Sequence, residues 1–222
     1  MNFSVVVPSA NAANLVACVR SLQAAEPELS PQEIIVVDDG ARAIGETSLP
    51  DVRWITGITP FIFARNANLG IMAAGRDVVL MNDDANLLTP NGFSMLWAEV
   101  LRHPEIGVCS AGIQGMVGNP RQIATSAANL RYEPRAIAFV CVLLPWSTYV
   151  RIGPLDERFV GYGFEDNDYC TRVAAAGFKI GIWDGCVVEH AHRPSAFRSR
   201  PDIMTLFDQN RQLYRSKWGR DA

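Results

Sequence analysis

Residues 33–40 read EIIVVDDG, an unbroken β-forming run that closes on two carboxylates and a glycine. The pattern repeats on both sides of it. Phe3–Val7 (FSVVV) is stopped by Pro8 and followed by Ser9-Ala10-Asn11, and Asp77–Met81 (DVVLM) closes on Asn82-Asp83-Asp84. Val52–Ile55 is a shorter candidate strand. Apolar residues at helical spacing (Leu15, Val16, Val19, Leu22) predict a helix after the first strand. A second is predicted over Ala64–Ala74, ending at Gly75. A third runs from about Asn91 to Arg102, with Pro90 and Asn91 as start signals. Continuous Val/Ile strands alternating with helices indicate an α/β fold with a mostly parallel sheet covered on both faces. Ligands gather at the carboxyl edges of such sheets, where Asp38-Asp39 and Asp83-Asp84 are expected to lie.

The second half is less regular. Ile106–Ala111 and Ala136–Leu144 are expected strands, with an irregular stretch rich in Gly, Asn, Pro and Arg between them (Gly112–Arg135). A helical run after Glu165 stops at Gly177, and strands are expected at Phe178–Trp183 and Val187–Glu189. Asp202–Trp218 reads as a final amphipathic helix.

At 222 residues and 49% apolar, the chain can bury one large core, which excludes disordered and fibrous classes. A net charge of −3 argues against a whole-surface nucleic-acid binder. The charge is uneven, because seven Lys/Arg against three Asp/Glu fall between Arg193 and Ala222. The five cysteines are widely spaced and form no CxxC pair, which reads as free thiols in a reducing compartment. No signal peptide is apparent in MNFSVVVPSA, and the apolar run Ala136–Trp146 is too short to span a bilayer. These features predict a soluble, cytoplasmic protein.

Four constellations carry chemistry. Asn82-Asp83-Asp84 at a strand end offers hard oxygen ligands of the kind Mg2+ or Mn2+ prefers, although Asn and Asp also simply make turns. Asp38-Asp39-Gly40 is open to the same two readings, a ribose or base contact or an ordinary Asp-Gly turn. Gly161-Tyr162-Gly163-Phe164 leads into Glu165-Asp166-Asn167-Asp168, so two aromatic faces precede a carboxylate pair at a helix start. The helix dipole alone favours acids there, but it does not account for the glycines and aromatics. Asp168 and Arg172 are spaced to pair. His190 and His192 follow a strand and are either metal ligands or surface residues.

In this order and at these distances, the pieces resemble the family 2 glycosyltransferases with the GT-A fold. The matching segments are VVVPSAN (5–11), IIVVDDG (34–40), ARNANLG (64–70), VLMNDDANLLTPNGF (79–93), GFEDNDYCTRVAAAGFKI (163–180) and the strand ending in His190. The resemblance implies a single GT-A domain over residues 1–195, with a basic helical extension over 196–222. It also implies transfer of a sugar from a nucleotide-diphosphate sugar, commonly a UDP-sugar, to an acceptor hydroxyl with inversion. Pro8, Ser9, Asp38, Asp39, Arg65, Asn68, Asp83 and Asp84 then line the nucleotide-sugar pocket. Asp84, with His190 or His192, holds Mn2+ or Mg2+. Asp166 is the general base, Glu165 hydrogen-bonds a sugar, and Tyr162 and Phe164 face the acceptor.

The sequence departs from the family pattern at Asn82, the first position of the DxD motif, and at Ala41-Arg42-Ala43. No GxGxxG turn follows the first strand, which argues against a dinucleotide-dependent dehydrogenase. A non-catalytic protein that only binds the nucleotide sugar is the remaining rival. The basic tail suggests an anionic partner such as a lipid-linked acceptor at a membrane surface or a nucleic acid, against the plainer reading of a solvated helix face.

Overall fold

In a computed structural model, which describes residues 2–41, 51–161, 163–190, 201–219 and 221, alternate residues of β1 (Phe3–Ser9) enter opposite cores. Phe3, Val5 and Val7 join α1 (Ala12–Ala25) and α3 (Gly92–Arg102) through Leu15, Val19, Leu22, Phe93 and Leu96. Val6 joins α2 (Phe63–Ala74), α4 (Trp146–Ile152) and α5 (Glu165–Ala175) through Ala64, Ile71, Tyr149 and Val173. Both faces are therefore dry, and the strand reads as one continuous apolar run. α2 lies so close to β1 that a Cβ on Gly70 would stand 2.3 Å from Val6 Cγ1.

Among the described residues the sheet runs β3-β2-β1-β4-β8-β6-β9-β5 and holds nine strands, with β7 also on β9. β3 (Arg53–Thr56), β2 (Ile34–Asp38), β1 and β4 (Asp77–Met81) are mutually parallel. β8 (Cys141–Leu144) is antiparallel to both its neighbours, β4 and β6 (Ile106–Gly115). β9 (Lys179–His190) is parallel to β6. Its other edge takes β7 (Leu130–Glu133) on its first half and β5 (Ala85–Leu87) on its last residues, both antiparallel. The fold is thus a mixed α/β single domain.

Several expected boundaries move. Of Ala136–Leu144 only Cys141–Leu144 is strand, because side chains take the earlier backbone bonds. Gln122 Oε1 accepts the Ala138 N–H at 2.7 Å, and Asn119 Nδ2 donates to the Ala136 carbonyl at 2.7 Å. The two strands expected at Phe178–Trp183 and Val187–Glu189 are one strand, whose pairing with β6 shifts register between Ala111 and Gly112. The stretch expected to be irregular holds the end of β6, a 3-10 turn (Pro120–Gln122) and β7. α3 begins at Gly92, and the buried Glu26 caps it, accepting the Phe93 and Ser94 N–H groups at 2.6 and 3.1 Å. All five cysteines are free and buried. Among the described residues no helix is long and apolar enough to cross a membrane.

Candidate active site

The parallel registers bring three strand ends to one edge of the sheet. Ser9 is opposite Asp38 and Val6 is opposite Leu80, so the chain leaves β1, β2 and β4 side by side. Ser9 Oγ donates to Asp83 Oδ2 at 2.6 Å, and the Asp39 N–H donates to the Ser9 carbonyl at 2.9 Å. Pro8 and Ser9 are buried beneath the half-buried Asp38, Asp39 and Asp83.

Beside Asp39 stands the start of α2. Burial pushes the Asp39 carboxyl above its usual range, Arg65 pulls it back, and Asp38 pushes it up again. Arg65 Nη2 donates to the Ile58 carbonyl at 2.9 Å and to the Pro60 carbonyl. Asn66 Oδ1 accepts the Ile58 N–H at 3.0 Å. Three buried polar atoms here, Asp39 Oδ1, Arg65 Nε and Asn66 Nδ2, make no close hydrogen bond among the described residues, while the Asn66 amide stands near enough to draw the Asp39 carboxyl down. Such groups normally are satisfied, and this cluster joins one acceptor with two donors.

Asn68 does not join the cluster. Its Nδ2 donates to the Leu155 carbonyl (2.9 Å) and Glu157 Oε1 (3.0 Å), while its Oδ1 accepts from the Leu155 N–H (2.9 Å) and the Tyr149 hydroxyl (3.3 Å). Its hydrogen-bonding capacity is spent on fastening the Leu155 segment to α2. Asn66, two residues earlier, is the asparagine beside Asp39.

The pairing of Ala85 with His190 sets Asp84 against the imidazole, with His190 Nε2 lying 3.1 Å from Asp84 Oδ1. Both side chains are buried. His190 Nδ1 bonds the Met116 carbonyl, which can only accept, so Nδ1 carries the proton. In the protonated ring Nε2 donates to Asp84 Oδ1 as an ion pair, and in the neutral ring the two atoms face each other as acceptors. Among the described residues no third His, Cys, Asp or Glu completes a cluster around them. His192 lies outside the described residues.

Glu165 and Asp166 open α5. Burial pushes both carboxyls well above the ordinary range, and the Asp166 charge pushes Glu165 further. Backbone N–H groups, among them those of Asn167 and Phe139, draw Asp166 partly back, and the Asn167 N–H lies 2.8 Å from Asp166 Oδ1. The next residue along from Phe139, Val140, accepts the Asn82 N–H at 2.9 Å. One two-residue segment thus ties the helix start to the Asn82-Asp83-Asp84 turn. The Asp168–Arg172 pair forms at 2.9 Å, and Asp168 also accepts from Lys217 and Trp218 Nε1.

Phe164, expected to face the acceptor, is buried at the start of α5. Its ring packs 5.1 Å from Phe207 and 5.7 Å from Tyr214, both on the C-terminal helix α6 (Ile203–Trp218). Tyr162 lies outside the described residues. Sequence reasoning did not single out Asn66 beside Asp39 or the Met116 carbonyl beside His190. A second asparagine two residues before Asn68, on the first turn of the same predicted helix, was a signal for the first, and nothing local marks a carbonyl.

The profile of glycosyl transferase family 2 matches residues 4–141, and the chain belongs to that family. A second profile, described as the N-terminal domain of galactosyltransferase, matches residues 119–195. The chain is similar to an uncharacterized protein, y4gI, of Sinorhizobium fredii, being 25% identical over 202 residues that cover 77% of this chain and 22% of the relative. It is also similar to a glycosyltransferase-like protein, gnt14, of Dictyostelium discoideum, with 37% identity over 79 residues, 35% of this chain and 12% of the relative. The chain therefore spans under a quarter of either relative's length.

Among solved structures it is similar to GalNAc-T7 with UDP, GalNAc and Mn2+, with a TM-score of 0.73 and 13% identity, covering 96% of this chain and 48% of that one. It is also similar to residues 1–349 of S. aureus TarS with UDP-GlcNAc, with a TM-score of 0.62 and 13% identity, covering 96% and 66%. The fold is that of the GT-A glycosyltransferases.

Proposed function

We propose that the chain moves a sugar from a nucleotide-diphosphate sugar, with UDP the favoured nucleotide, to an acceptor hydroxyl with inversion at the anomeric carbon. The observation that carries this reading is the convergence on one sheet edge of an unsatisfied base-sized polar cluster, the Asp84–His190 pair and a raised carboxylate pair. Family membership and the UDP-containing neighbours support it.

Asp39, Arg65 and Asn66 present an acceptor and donors for a nucleobase edge, while Asp38 and Ser9 face the ribose and diphosphate side. The donor set at Asp84 and His190 suits Mn2+ or Mg2+, since two facing acceptors leave a place for a cation and the Met116 carbonyl fixes the ring as a ligand. Such ions take their remaining ligands from phosphates and water. When bound, the metal supplies Lewis-acid charge against the departing diphosphate.

Asp166 takes the proton of the acceptor hydroxyl as that oxygen bonds to the anomeric carbon and the diphosphate leaves with the electron pair of the broken bond. Glu165, held protonated by its neighbour and its burial, donates a hydrogen bond to a sugar hydroxyl.

We assign the transfer domain to residues 1–195 and the extension to 196–222, and place the protein in a reducing cytoplasm on its five buried free thiols. The extension's described cations are paired within the chain: Arg211 with Asp208, Arg215 with Asp221, and Lys217 with Asp156 and Asp168. This pairing favours a packing role for the helix over an anion-binding surface.

The test is release of nucleotide from a panel of UDP-, GDP- and dTDP-sugars with and without Mn2+. Metal-dependent release from one donor supports the reading. Binding of a nucleotide sugar that Asp166→Asn leaves unchanged, with no release in either protein, would point to the binding-only rival.

A further inference from the structure

The glycine-rich turn ahead of Glu165-Asp166 is held from the far end of the chain. Asn210 on α6, buried at 3% exposure, donates its amide nitrogen to the carbonyls of Val160 and Gly163, each at 3.0 Å. The two carbonyls flank Gly161 and Tyr162. Phe164, at the N-cap of α5, has φ 77° and no side-chain capping bond, and Gly161 and Gly163 have φ of 88° and 84°.

A chain with two left-handed glycines gives up more conformational freedom on ordering than most, so its position depends on what packs over it. Here α6 does the packing. A Cβ on Gly161 would meet Leu206 at 2.7 Å, and one on Gly163 would meet Phe207 at 3.2 Å. Farther along, the Tyr214 and Thr171 hydroxyls meet at 2.7 Å.

We propose that Asn210 is a positioning residue for sugar transfer, acting through the Val160 and Gly163 carbonyls to hold the start of α5 at the reacting oxygen. This rests on the function proposed above. The side chain is well chosen for the task, because a single amide nitrogen offers two hydrogens to two carbonyls. Aspartate has no donor, and leucine has no polar atom. Misplacing a reacting group by about 1 Å can cost on the order of a hundredfold in rate.

The test uses the full chain and the UDP-sugar that the wild type hydrolyses fastest. Asn210→Leu keeps the branch at Cγ, adds bulk and removes both donors. Its kcat is expected to fall about ten- to a hundredfold, while Kd for UDP with Mn2+ stays within about twofold. Tyr214→Phe, on the same helix, removes the bond to Thr171 and leaves the turn untouched. It is expected to lower Tm and keep kcat.

If both variants lose Tm while kcat per folded molecule is unchanged, the role is structural and the proposal fails. If Asn210→Leu does not fold, Phe207→Leu loosens the same turn through Phe164. An unchanged kcat there also overturns the proposal. A wild type that cleaves no nucleotide sugar removes the functional reading itself, a failure visible before any variant is made.

Discussion

His190 Nε2 lies 3.1 Å from Asp84 Oδ1 while the Met116 carbonyl holds the proton on Nδ1. An imidazole fixed in this tautomer is ready to ligate without reorganising. His190→Ala is expected to weaken Mn2+-dependent UDP binding about ten- to a hundredfold, the usual cost of disturbing a metal site. Binding measured in chelator should not change. Equal losses with and without metal in calorimetry would count against Asp84 and His190 as ligands.

Asp166→Asn is expected to lower kcat by about two to four orders of magnitude, with UDP affinity retained. The wild-type rate should rise with pH across a limb above the ordinary aspartate value of about 3.9, because burial raises this carboxyl. The same shift has a stability sign. A carboxyl whose pKa is raised on folding binds its proton more tightly in the folded state, so stability falls as pH rises above the unfolded pKa. Asp166→Asn should therefore melt higher than the wild type at pH 8 by calorimetry, and the gap should close toward pH 4.

The two asparagines of α2 should separate cleanly. Asn68→Ala leaves the Leu155 N–H and carbonyl without their partner in a buried place, at about 1–3 kcal/mol. It should lower Tm and leave UDP affinity per folded molecule intact. Asn66→Ala should weaken UDP binding about tenfold, the worth of one net hydrogen bond in a dry pocket. The opposite pattern would return the base pocket to Asn68.

Gly70→Ala places a methyl 2.3 Å from Val6 Cγ1, where α2 crosses β1. Overpacking of this kind costs about 1–3 kcal/mol. In a chain of this size each kcal/mol is worth about 2–4 °C, so a thermal melt should show a drop of several degrees.

The parallel half was legible because both faces of its strands are dry. Val5, Val6 and Val7 go alternately to two cores, so an unbroken apolar run is the signature of the strand and an Asp or Asn marks its end. The antiparallel half hides this signal. Ile137 and Phe139 are as apolar and buried as any strand residue, yet the backbone around them bonds to the side chains of Gln122 and Asn119. Asp184-Gly185-Cys186 looks like a break but only shifts the register of β9 on β6. Within the site, Asp38, Asp39, Asp83, Asp84 and the Glu165-Asp166 pair could be picked out because carboxylates at element ends stand out in sequence. The sequence reading names Asn68, and Asn66 was out of its reach, since the difference depends on which face of α2 turns to Asp39 and which to Leu155. The packing of Phe164 was hidden for the same reason, its partners lying on a helix some forty residues later.

β8 enters the sheet against the direction of β4 and β6, so its beginning, not its end, reaches the edge where Asn82 bonds Val140. The chain that arrives there, after Met116 and through β7, takes no rung of the β1–β2 and β1–β4 ladders. Under the proposed function, such a chain can change its acceptor while the part that grips the donor stays as it is.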